Sequence, residues 1–347
     1  MKPSFYISSR KVGYDEDPLV IAEIGINHNG SLDIAKHMAK TAIDAGVHIV
    51  KHQTHIVDDE MSHEADKNKI SYIGKTIYQL MKECALNEND EYELMRYVQD
   101  LGGIFISTPF SRAAADRLAS FDVPAFKIGS GECNNYPLLE HISEFGKPII
   151  LSTGMNSIES VERAVNIFRE KSINYAILHT TNIYPTPPNL VRLGAMSELK
   201  DRFPEAVIGL SDHTISNHAC FGAVALGASI LERHYTDSMD RTGPDIINSM
   251  DPISAKELVE GSKIIKQERG GQKGPVKEEK PVIDFAYASV VTIKKIKKGD
   301  FFSKENIWVK RPGTGPLFAK DFNDIIGKKS NKDIESDQHL KADDIIL

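Results

Sequence analysis

Three cysteines in 347 residues, Cys84, Cys133 and Cys220, leave no close pair to bridge. So low and odd a count excludes a disulfide framework and points to a reducing compartment. Long apolar runs are also missing. No uncharged stretch approaches the ~18–20 residues needed to span a bilayer, so no membrane partner is expected. The opening MKPSFYISSRKVGYDEDPLV lacks the apolar centre of a secretory leader, and a cytoplasmic location is the expectation. Positive charge is not in excess: 42 Lys and Arg face 49 Asp and Glu, a formal net charge of -7. That balance argues against nucleic acid as a partner. No strand–GxGxxG–helix fingerprint occurs, which weighs against an open dinucleotide-binding sheet.

What is present is a repeated alternation. Short apolar, β-branched runs occupy 19–25, 48–54, 104–110, 125–131, 148–154, 175–181, 206–212 and 228–235. Segments with helical apolar spacing lie between them. In 31–45, for example, Leu32, Ala35, Met38, Ala39 and Ala42 share one stripe. Strands alternating with helices imply right-handed βαβ units and a parallel sheet. Eight units in the first 266 residues predict an α/β fold of the (β/α)8 TIM-barrel type. Residues 267–284, QERGGQKGPVKEEKPVID, are rich in Gly, Pro and charge and read as a linker. Residues 285–347 change texture, with short β-type runs broken by KKGD and PGTG turns, and read as a small separate domain.

Each predicted strand carries polar residues at its C-terminal end, where barrel active sites are built. His213 follows the seventh strand and His234 ends the eighth, so both imidazoles can converge on one divalent ion. Glu232 shares the face of His234 by strand alternation. The bland alternative, two locally bonded strand-end histidines, stays open on spacing alone. Lys51 and Lys127 sit inside otherwise apolar strands, where an ammonium needs an anionic partner. Thr108, Ser130 and Ser152 add hydroxyls, and the GSGE after Lys127 lets backbone N–H groups approach phosphate. Together they suit a substrate bearing phosphate and carboxylate. An imine-forming lysine is the rival use. Glu23, ending the first strand, reads as a general base, a metal ligand or an ion-pair partner of Lys51. Asn182 and Tyr184 share one loop, and Asp245 sits in the polar loop after the eighth strand. His52 faces away from Lys51 and Gln53 and reads as structural, as does Cys133.

The strings EIGINHNG, KHQTHIV, STPFSRAAA, KIGSGECNNYPL, LSTGMNSIES, TNIYPTP, GLSDHT, GAVALGASILERH and KRPG occur in one order. Across nearly the whole chain they resemble the bacterial N-acetylneuraminate (sialic acid) synthase family, with its C-terminal antifreeze-like (SAF) domain. The resemblance implies a transferase that forms a C–C bond between phosphoenolpyruvate and N-acetylmannosamine, with C–O cleavage and phosphate release. It implies phosphoenolpyruvate binding by Lys51, Thr108, Lys127, Ser130, Ser152, Asn182 and Ser211. A divalent metal ion, Mn2+ first with Mg2+ or Co2+ as alternatives, would sit on His213 and His234. Glu23, His213 and His234 would be catalytic. Gln53, Tyr184, Asp245, Phe285 and Arg311 would contact the sugar. The family also implies a domain-swapped homodimer that carries Arg311 to the partner's barrel. Legionaminic and pseudaminic acid synthases, which use 2,4-diacetamido-trideoxy-hexoses, are the alternative within this likeness. Ile247 and Asn248 depart from the Val-Cys pair expected beside the sugar. A Schiff-base lyase and a carbohydrate-binding protein on an inactive barrel are the readings outside it.

Overall fold

The apolar runs become strands that close on one another. In the computed structural model, residues 2–67 and 74–346 are described, and the chain divides into two compact units, Met1–Gly270 and Gly271–Leu347. The first opens with an antiparallel hairpin, β1 (Ser4–Ile7) and β2 (Arg10–Gly13). The barrel strands follow: β3 (Leu19–Gly25), β4 (Ile49–Thr54), β5 (Ile104–Pro109), β6 (Phe126–Ile128), β7 (Ile149–Ser152), β8 (Tyr175–Thr180), β9 (Val207–Asp212) and β10 (Ile230–His234). They form a closed parallel barrel in chain order, with β10 returning to β3.

The pleat sorts side chains into two layers. Leu19, Ile21, Ile49, Ile106, Ile150, Ala176, Leu178, Val207 and Ile230 fill the barrel interior. Val20, Ala22, Ile24, Val50, Phe105, Phe126, Leu151, Ile177, Leu210 and Leu231 face outward against helices. The stripe predicted for the first helix is the buried face of α1 (Leu32–Asp44): Ala35, Met38, Ala39 and Ala42. Ser31 caps that helix by accepting from the Ile34 N–H. Asn87, Ser111, Ser157 and Asp251 do the same for later helices.

Sequence spacing did not reveal the hairpin. Its Phe5, Ile7 and Val12 pack with the interior cluster at the N-terminal end of the barrel, where they keep water from the apolar layers. The long excursion after β4 was also not foreseen. It holds α2 (Val57–Glu60), α3 (Ile77–Cys84) and α4 (Glu88–Asp100). The helices α5 (Arg112–Ser120), α6 (Tyr136–Ser143), α7 (Ile158–Glu170), α8 (Ala195–Arg202), α9 (His218–Ala225) and α10 (Pro252–Glu268) complete the outer ring.

In the second unit, the stretch read as a linker runs from the end of α10 into α11 (Lys280–Ala286). Beyond it, β11 (Ser289–Thr292) and β12 (Ile307–Lys310) pair antiparallel. Val290, Ile296, Phe302, Ile307, Phe322, Ile325, Ile334 and Leu340 form this unit's own small core.

Candidate active site

The interior layers stop being apolar two residues beyond Ile21, Ile49, Ile106 and Ile150. The next inward positions on those strands are Glu23, Lys51, Thr108 and Ser152. Lys127, Thr180, Ser211 and Glu232 complete the ring from β6, β8, β9 and β10. All eight line one cavity of about 140 Å3 at the C-terminal end of the barrel, with Gln53, Phe110, Ser130, Asn182, Tyr184, His213 and His234. Twelve sequence-predicted residues are therefore brought together: Glu23, Lys51, Gln53, Thr108, Lys127, Ser130, Ser152, Asn182, Tyr184, Ser211, His213 and His234. Asp245 lies beside them, its Oδ2 3.7 Å from His234 Nδ1. Phe285 and Arg311 belong to the second unit, where the guanidinium lies 6.0 Å from the Phe285 ring centroid. Asn248 does not line the cavity. Its side chain is fully buried and neither amide atom has a partner in the described structure.

Charge in the cavity is balanced in pairs. Lys51 Nζ lies 2.5 Å from Glu23 Oε2 and 3.8 Å from Glu232 Oε1. Lys127 Nζ lies 3.3 Å from the same Glu232 oxygen. Lys51 also donates to Thr108 Oγ1 at 3.1 Å, Lys127 to Ser152 Oγ at 2.8 Å, and Ser211 Oγ to Glu232 Oε1 at 3.1 Å. Burial works against the Lys51 ammonium, but Glu23 and then Glu232 outweigh it and raise its pKa. Lys127 differs: burial, reinforced by the charge of Lys51, overrides Glu232 and lowers its amine to about 8. Such desolvated ion pairs add little net stability, and removing one partner costs on the order of 3–5 kcal/mol. In so buried a cavity two ammonium groups would act on an anion with little screening.

The two histidines line the same cavity. Their ring centroids are 5.5 Å apart. Burial lowers each to about 4; His234 and His213 are both neutral near pH 7, the form in which imidazole ligates. His213 Nδ1 donates to the Thr181 carbonyl at 2.8 Å, which leaves Nε2 as an acceptor. His234 Nδ1 is buried without a hydrogen-bond partner. Burial also raises Asp245 to about 6. Two neutral imidazoles with an unpartnered ring nitrogen suit a borderline divalent ion. Among the described residues, no three His, Cys, Asp or Glu side chains converge to hold one without other donors. Tyr184 stacks on His213 at 4.1 Å between centroids and is itself half exposed.

Two supports escaped the sequence reading. Arg233 points outward between Glu232 and His234, fully buried, and donates to Asn217 Oδ1 and the Thr214 carbonyl at 2.7 Å each. It thereby anchors the loop that begins at His213. Behind β4, the Gly30 N–H donates to His28 Nδ1, so His28 Nε2 carries the hydrogen and donates to His52 Nε2 at 3.2 Å. His52 Nδ1 then donates to Glu91 Oε1 at 3.0 Å. His52 is structural, as its outward position predicts. Cys133 is fully buried and its thiol is pushed up to about 12, which is unsuited to a nucleophile. All three cysteines are buried and free.

The model of the NeuB family matches residues 38–274, and that of the SAF domain matches residues 287–346. An uncharacterized protein of Methanocaldococcus jannaschii is 38% identical over 98% of both chains. The N,N'-diacetyllegionaminic acid synthase of Campylobacter jejuni is 36% identical over 93% of this chain and 98% of its own. The crystal structure of an N-acetylneuraminic acid (sialic acid) synthetase from Leptospira borgpetersenii superposes with a TM-score of 0.74 at 30% identity, covering 82% of this chain and 96% of that one.

Proposed function

Because the chain belongs to the NeuB family and carries its SAF domain, we propose that it condenses phosphoenolpyruvate with an N-acetylated mannose-type aldose to give a sialic-acid-type product. The observation that carries this reading is one cavity holding two buried lysines, five serine and threonine hydroxyls and two neutral histidines.

Lys51 and Lys127 neutralise the phosphate and carboxylate, while Thr108, Ser130, Ser152, Asn182 and Ser211 donate to their oxygens. In this reading phosphoenolpyruvate lies among these residues, with its C3 towards His213 and His234. C3 bonds to the sugar aldehyde carbon as the enol double bond opens, the aldehyde C=O π bond breaks and its oxygen takes up a proton to become a hydroxyl, and an oxocarbenium ion is left at C2. Water adds at C2 and gives a proton to the Glu23 carboxylate. The C2–O bond to phosphate then breaks as the C2 hydroxyl passes its proton to the departing phosphate, and the 2-oxo acid remains; the proton held by Glu23 balances the one taken up by the aldehyde oxygen. His213 and His234 would hold a divalent ion, Mn2+ in the first instance, which would supply Lewis-acid polarisation of the aldehyde. Gln53, Tyr184 and Asp245 border the sugar's position. Arg311 and Phe285 of a second copy complete the sugar contacts in this reading, within a domain-swapped homodimer.

N-acetylmannosamine is the sugar of the first reading. The 36% identity to a legionaminic acid synthase over nearly the whole chain favours a second, a 2,4-diacetamido-trideoxy-hexose. The test is phosphate release from phosphoenolpyruvate with Mn2+, with each sugar in parallel, and with and without chelator. Chelator-sensitive release with one sugar supports the reaction and selects the sugar. Release unaffected by chelator removes the metal assignment, and no release with any sugar removes the reaction. Inactivation by borohydride with pyruvate would instead assign Lys127 to imine chemistry, which its lowered amine permits.

A further inference from the structure

Gln53 has both ends of its amide engaged. Its Nε2 lies 2.6 Å from Glu23 Oε1, and its Oε1 lies 3.1 Å from His55 Nε2. The second Glu23 oxygen faces the Lys51 ammonium at 2.5 Å, so Glu23 is an ionised carboxylate that can only accept. Gln53 must therefore turn its NH2 to Glu23 and its carbonyl to His55. A carbonyl also only accepts, so His55 Nε2 must carry a hydrogen. His55 Nδ1 in turn lies 2.7 Å from Glu60 Oε2, another acceptor. Both ring nitrogens therefore face acceptors, the Glu60 carboxylate and the Gln53 carbonyl. The ring is buried and stacks on Phe110, centroids 4.5 Å apart and planes 9° from parallel. Phe110 is itself a wall of the cavity.

We infer that His55 is a positioning residue: the Glu60–His55–Gln53 relay fixes the sense of the Gln53 amide and so aims the Glu23 carboxylate into the cavity as an acceptor. The inference rests on the reading of Glu23 as the group that takes the water proton. Its physical basis is directional. A neutral ring donating from Nδ1 to Glu60 would offer Gln53 a lone pair at Nε2. The amide would then rotate, and its oxygen would meet the Glu23 carboxylate. Repulsion would swing Glu23 towards Lys51 and out of line. The packing leaves little slack for this, because a Cβ built at Gly25 (φ +48°) would sit 3.1 Å from Glu23 Oε1 and 3.2 Å from Gln53 Nε2. With the relay intact, one Nε2 hydrogen of Gln53 stays free for the sugar.

The test uses the full chain. Imidazole 15N shifts, with the His55 signals identified by their loss in His55→Leu, should show both His55 nitrogens protonated near pH 7.5. In steady-state assays His55→Leu should lower kcat about 10–100-fold, the scale of lost support for a catalytic group, with KM for phosphoenolpyruvate within about threefold. His55→Gln, which restores an N–H towards Gln53, should recover a large part of kcat. Glu60→Gln should lower kcat likewise and turn His55 into a neutral ring while the other imidazole signals keep their native shifts, which loss of folding would not leave in place. A neutral His55 in the unmodified chain overturns the relay whether or not the protein is active. So does a His55→Leu chain with kcat within twofold of the unmodified protein, or one that loses kcat only in proportion to folded protein. Absence of phosphate release by the unmodified chain would count against the proposed reaction alone, since the 15N signature still decides the relay.

Discussion

Lys127 and Lys51 are one residue type on neighbouring parts of the same ring, yet their environments separate them. Lys51 has Glu23 at ion-pair distance and its ammonium is favoured despite burial. Lys127 shares only the Glu232 oxygen and faces the charge of Lys51, so burial lowers it to about 8. The sign of the consequence follows. Below pH 8 Lys127 is an ammonium and clamps an anion; above it the charge is lost while Lys51 keeps its own. For the free enzyme, kcat/KM for phosphoenolpyruvate should hold up to about pH 8 and then fall, approaching tenfold per unit. Lys127→Arg, always charged, should move that alkaline limb beyond pH 9.5 even if it lowers the plateau. A flat profile to pH 9.5 in the unmodified chain would show that Lys127 does not carry the clamp's titrating charge.

At the scale of elements, the loop after β7 decides whether the hydroxyl half of the site can form. Gly154 leaves no room for a side chain: a Cβ there would lie 2.0 Å from Asn182 Oδ1 and 2.9 Å from Ser130 Oγ. Its own N–H donates to that Ser130 oxygen at 3.0 Å. Gly154→Ala should displace Asn182 and loosen Ser130. The resulting overpacking is worth roughly 1–3 kcal/mol, and KM for phosphoenolpyruvate should rise at least about tenfold while kcat changes less. Equal affinity in titration calorimetry would count against Asn182 and Ser130 as anion ligands. These elements also show what the sequence could reveal. In β4 the run IVKHQT alternates, so Lys51 and Gln53 were legible as inward and His52 as outward, and the strand ends carried the cavity ring in plain view. The partners of those residues were not legible. His55 lies one position past the end of β4, and Glu60 belongs to a four-residue helix with no amphipathic signal. Glu91, which receives His52, arrives from α4 across the whole excursion after β4. No periodicity links such positions; only the closed barrel does. The β1–β2 hairpin was missed for a similar reason, being too short to show an alternation until Phe5, Ile7 and Val12 meet the barrel interior.

For the whole molecule, the proposed exchange of SAF units fixes which barrel each Arg311 serves. Arg311 and Phe285 lie in the second unit, both exposed within it, and the proposed reaction assigns both to the sugar. In a symmetric pair with exchanged units, each site takes its lysines from one copy and its arginine from the other. Co-expressed Arg311→Ala and Lys127→Ala chains therefore make a sharp test. Each variant alone should be nearly inactive. Random pairing yields about half mixed dimers, and each of these has one site with both residues intact and one with neither. Activity should return to about a quarter of the unmodified protein's, with a KM for the sugar equal to the original. If each arginine serves its own barrel, every site in the mixture lacks one residue, and co-expression gives no more activity than the two variants measured apart.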